Sequence, residues 1–116
     1  MPDFQLESIA ATEHHRLLGF DSVEVSPGPD GGYTLTVSGT MPCGNMEASL
    51  SPRAYVRCPE HWGIEVVGYL PEGLCFTSEG HYRETIALAG ITGSRGIEVI
   101  GSSKSETREV PGGCDG

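Results

Sequence analysis

Ser22-Val23-Glu24-Val25-Ser26-Pro27-Gly28-Pro29-Asp30-Gly31-Gly32-Tyr33-Thr34-Leu35-Thr36-Val37-Ser38 decides the fold class. Val23 and Val25 alternate with polar residues, and Tyr33, Leu35 and Val37 alternate with Thr34, Thr36 and Ser38. Side chains along a strand point to opposite faces in turn, so each half reads as a strand with one buried face. The Pro/Gly/Asp run between them turns the chain back, and the whole is a β-hairpin. The buried face is expected to carry Val23, Val25, Tyr33, Leu35 and Val37.

The same rhythm continues toward the C-terminus. A bend rich in breakers covers residues 39–45, and strands are expected at 46–50 and 53–57, split by Ser51-Pro52. Residues 58–63 read as a loop, 64–70 as a strand holding Val66 and Val67, and 81–88 as a strand whose inner face carries Tyr82, Ile86 and Leu88, with Glu84 among them. Residues 90–96 form a turn and 97–100 a strand. The polar, charged run 102–110 reads as an exposed edge strand ending at Val110.

Toward the N-terminus, Leu6, Ile9, Ala10, Glu13 and Leu17 fall near helical spacing, while residues 4–7 alternate like a strand. A short N-terminal helix or a strand is expected there. The division is an N-terminal segment over 1–19, a β domain over 20–110 and a flexible tail over 111–116.

Seven or eight short strands at regular spacing define an all-β class. The expected architecture is an antiparallel β-sandwich of immunoglobulin-like rhythm, with a small β-barrel as the alternative. Composition agrees. Seventeen glycines and eight prolines in 116 residues suit many turns between short strands. A hydrophobic fraction of 37% gives the chain enough apolar surface for a core.

The formal charge is −9, from 7 basic and 16 acidic side chains. Such a surface repels phosphate backbones and anionic membranes, so nucleic-acid and membrane partners are not expected. No signal peptide and no apolar run of bilayer length is visible in the sequence.

Four cysteines, Cys43, Cys58, Cys75 and Cys114, admit three full pairings. At least one disulfide is expected among Cys43, Cys58 and Cys75, which sit beside turns. Cys114, among tail glycines, reads as an exposed bystander. The alternative for these sulfurs is zinc, held by Cys43, Cys58, His61 and Cys75, because thiolate and imidazole suit tetrahedral zinc. Cys58-x-x-His61 is the one close pair in that set, so no cofactor is the first expectation.

Other chemistry-bearing groups are scattered. His14-His15 are adjacent and poorly placed to chelate together. His81, Tyr82 and Arg83 would line the cavity of a barrel, with His81 as a general base. Glu65 and Glu98 lie on expected strands, with nothing local to fix their separation. The glycines of 90–96 with Arg95 could form an anion nest, though the lysine of a phosphate loop is missing. No nucleophile elbow and no nucleotide fingerprint occurs.

The functional expectation is therefore a non-enzymatic binding or interaction module for a protein or small-molecule ligand. Its surface is placed at a loop end carrying His61, Trp62 and Asn45, because Trp62 is the single tryptophan and aromatic residues dominate recognition sites. The alternatives are a small β-barrel enzyme or ligand carrier built around His81 and Arg83, and the zinc-binding domain.

Overall fold

The computed structural model describes residues 15–70, 75 and 78–115. Among the described residues, eight strands form two sheets: β1 (His15–Leu17), β2 (Ser22–Pro27), β3 (Tyr33–Met41), β4 (Glu47–Pro52), β5 (His61–Tyr69), β6 (Gly80–Ala87), β7 (Gly96–Ile100) and β8 (Ser105–Glu109). There is no helix among the described residues, and so none long and apolar enough to cross a membrane. The readings made for residues 1–14, including the helix and His14, lie outside the described residues; His15 falls in β1.

The hairpin closes in the expected register. Val23 faces Val37, Val25 faces Leu35 and Pro27 faces Tyr33. β6 then pairs with the other side of β3, completing the sheet β2-β3-β6. The second sheet is centred on β5. β4 runs along one edge of β5, from Glu47 opposite Tyr69 to Pro52 opposite Ile64. The other edge is shared end to end: β1 pairs with residues 67–69 and β7 with residues 61–65. β8 closes this sheet beyond β7.

The core lies between the sheets. Leu35, Val37 and Tyr82 from one sheet meet Ile64, Val66, Ile97 and Val99 from the other, with Leu18, Phe20 and Leu88 filling the ends. Ile64, Val66, Ile97 and Val99 are fully out of solvent. This is an all-β sandwich with two separate sheets and a filled interior, so a closed barrel does not form. The immunoglobulin-like expectation rested on strand rhythm alone. The strand order, with its parallel β5–β7 pair, supports the sandwich and no finer class.

The strand boundaries around β4 and β5 differ from expectation, and β4 runs on through Ser51 and Pro52. Residues 53–57 are not a strand. After the last ladder pair, Pro52 opposite Ile64, the chain arches over the start of β5. Arg53 N–H still donates to the Gly63 carbonyl (2.9 Å), and Tyr55 Oη accepts from Gly63 N–H (3.0 Å). Conversely, β5 begins at His61, three residues earlier than expected, because β7 pairs with residues 61–63 from a distant part of the chain.

β8 is the expected polar edge. Glu106 and Arg108 occupy its core-side positions, and Lys104, Glu106 and Arg108 are linked at 3.0 and 2.8 Å. Their hydrogen bonds to Glu106, from Lys104 first and then Arg108, hold its carboxyl below the usual range. Charges on both faces of an outermost strand discourage a further strand from pairing to it.

Candidate functional site

The four sulfurs form two disulfides, Cys43–Cys75 and Cys58–Cys114, with sequence separations of 32 and 56. Cys114 is thus a bridge partner and not a bystander. It ties the C-terminal segment to the β4–β5 connection. Main-chain bonds tie the same segment to the β6–β7 connection, from Val110 N–H to the Arg95 carbonyl (2.9 Å) and from Cys114 N–H to the Thr92 carbonyl (3.1 Å). Gly113 packs so closely on the Gly93 carbonyl that a side chain there would collide with it. The segment expected as a frayed tail is therefore laid down through residue 114.

The set Cys43, Cys58, His61 and Cys75 is not assembled around a common point. Each sulfur is bonded to another, so none is the thiolate that zinc requires. His61 is engaged elsewhere: Nε2 donates to Glu109 Oε2 at 3.0 Å. Among the described residues, no three or more His, Cys, Asp or Glu side chains group as metal ligands would.

The other candidates are separated by strand geometry. Tyr82 points inward, and its phenol donates to the Gly19 carbonyl at 2.6 Å. Burial, reinforced by the Asp21 carboxylate, pushes that phenol up to about 12. Its neighbours His81 and Arg83 are exposed on the opposite face, where Arg83 lies 3.8 Å from Glu24. The three do not line one cavity, because adjacent strand residues face opposite ways. Glu65 is held by Arg53 Nε at 3.1 Å. The turn at 90–96 is no anion nest. Its amides at Ser94, Arg95 and Gly96 donate to the carbonyls of Pro59 and Glu60.

His61, Trp62 and Asn45 do not share one loop end. His61 opens β5, whereas residues 41–47 lie beside its far end, where Glu47 faces Tyr69. Eight residues of strand put the two ends roughly 26 Å apart. Trp62 takes an inward position at its end. Its indole N–H donates to the Arg53 carbonyl (2.8 Å), and its ring meets Tyr55 edge-on at 5.0 Å. It is half-buried and packs on the core.

The end of the sandwich that carries His61 and Trp62 also carries a cleft of about 520 Å³. Three segments build it: the β2–β3 turn at 31–33, the β6–β7 connection at 88–90 with Thr92, and the C-terminal segment 110–114. The turns at Gly90 and Gly112 have φ near +81°, a conformation that favours glycine, and leave main chain exposed on the rim. The Thr92 hydroxyl donates to the Leu88 carbonyl at 2.8 Å and fixes the inner wall. Sequence reading missed this cleft. Its one local signal was glycine density, which also marks ordinary turns.

The fold and cleft together define a disulfide-braced β-sandwich with a preformed recess at one end. The chain matches no family model, no curated protein and no solved structure.

Proposed function

We propose that the protein is a non-enzymatic recognition module that binds its ligand at the recessed end of the sandwich. The observation carrying this reading is the cleft itself, whose third wall is covalently tied to the β4–β5 connection through Cys58–Cys114. A recess of this size falls in the range of small-molecule sites, roughly 300–1,000 Å³. A wall fixed before binding spares the ordering cost that a loose loop would impose. Loops on a rigid β scaffold are the usual place for recognition. His61 and Trp62 serve this end by positioning it: His61 holds Glu109 next to the start of the C-terminal segment, and Trp62 anchors the arch at Arg53. Two disulfides suit an oxidising compartment.

Amide chemical-shift mapping of the disulfide-intact protein against a chemically mixed fragment library tests the reading. Saturable shifts are expected to cluster on residues 31–33, 88–92 and 110–114. Clustering instead on the outer face around His81 and Arg83 would place recognition on the β2-β3-β6 sheet and reject the cleft.

A further inference from the structure

The composition of the cleft wall separates ligand classes by charge. One-fifth of the chain is Asp, Glu, Lys or Arg, yet none of the twelve residues lining the cleft is one of these or a histidine. Its polar groups are the Tyr33 phenol, the Thr92 hydroxyl and main chain at five glycines. The rest of the wall is apolar, with Leu88 and Val110 at its buried side. A charged ligand entering here would give up hydration without meeting a counter-charge on any lining side chain, the Asp30 carboxylate beside Gly32 lying outside the lining, and that loss is strongly unfavourable. An uncharged ligand gives up little, and its apolar surface gains from contact with Leu88, Ala89, Val110 and Pro111. The exposed main chain at Gly90 and Gly112 is accessible to hydroxyl or carbonyl groups on such a ligand.

The formal charge of −9 works in the other direction, since the protein as a whole attracts cations. That attraction is long-ranged and screened by salt, with a Debye length of about 8 Å at physiological ionic strength. Desolvation acts at contact and is not screened. Contact therefore wins inside the cleft. From this balance we infer that the cleft selects an uncharged, largely apolar small molecule carrying hydroxyl or carbonyl groups, and discriminates against cations and anions of the same shape. The inference rests on the cleft being the binding site.

Three probes of matched shape decide it: 2-naphthol, 2-naphthoate and 2-naphthylmethylammonium, titrated at physiological salt and followed by amide shifts. Expected is saturable movement of Tyr33, Ala89 and Gly112 by 2-naphthol, with both ions on the order of tenfold weaker or more at the same amides. Exposed Ala89 offers a control: Ala89→Asp should move the preference from 2-naphthol to the ammonium probe without unfolding the chain. Equal or tighter binding of either ion to the unaltered cleft overturns the charge selectivity while leaving the cleft as a site. No movement of those amides with any probe, or saturable movement only elsewhere, overturns the cleft as well.

Discussion

His61 and Glu109 are joined across a strand that separates them. In the ladder His61 lies opposite Gly96 and Gly96 opposite Glu109, and the imidazole bonds the carboxylate at 3.0 Å across that intervening strand. Arg95 Nε adds a second contact to Glu109 at 3.4 Å. The Glu109 carboxyl is held below its usual range, chiefly by the hydrogen bond from His61 and then by the nearby Arg95 charge. A lowered carboxylate stabilises the fold above its unfolded value, and that contribution is lost as pH falls through the folded value. Glu109→Gln should therefore flatten the acid limb of a Tm-versus-pH curve and change Tm little at pH 7, because the pair is exposed.

Gly96 itself is required by close approach of the neighbouring strand. A Cβ there would collide with the Arg108 carbonyl oxygen in the β7–β8 ladder. Gly96→Ala should cost several kcal/mol, on the order of 3–5, by urea denaturation. Gly31→Ala, where a Cβ meets nothing within 4 Å, should cost markedly less.

Trp62 is a structural anchor in addition to any role at the recessed end. Trp62→Phe leaves the Arg53 carbonyl without the indole donor and should cost about 1 kcal/mol. Trp62→Ala also removes the ring from the core edge and from Tyr55, and should cost about 3 kcal/mol. Chemical denaturation followed by circular dichroism measures both. Equal, negligible losses would show that the ring contributes no packing.

The Tyr82 phenol should titrate late, near pH 12 in a spectrophotometric titration. A phenol raised in the folded state stabilises the protein below its unfolded value near 10 and ceases to do so as pH rises through about 12. Tyr82→Phe should remove that alkaline component from a stability-versus-pH curve. At neutral pH it should cost about 1 kcal/mol, through the unmet Gly19 carbonyl.

The two disulfides differ in what their loss exposes. Closing a loop of 56 residues is worth about 4 kcal/mol on the chain-entropy account, and one of 32 slightly less. Replacing Cys58 and Cys114 together by Ser should lower stability by about that amount and raise amide exchange over residues 110–114. Replacing Cys43 and Cys75 together should leave exchange in that segment unchanged.

The hairpin, the polar edge strand and the inward set Tyr82, Ile86 and Leu88 were legible because period-two alternation is a local property of strands. So were the all-β class and the presence of a disulfide. The partner of Cys58 was not legible. Three pairings fit the same four positions, and Cys114 is brought to Cys58 by chain folding over 56 residues.

Sequence by itself determined which residues turn inward, since a strand's two faces are written in its alternation. Tertiary structure alone decided which edges meet. β5 starts at His61 because β7 reaches it in parallel, and no local pattern encodes a parallel partner more than thirty residues away. The same holds for function. His61 and Asn45 are sixteen residues apart in sequence yet stand at opposite ends of β5, because strand length, not sequence proximity, sets the distance between loops. The cleft draws its walls from three segments spread between residues 31 and 114. Only sheet packing and the Cys58–Cys114 bridge bring them together.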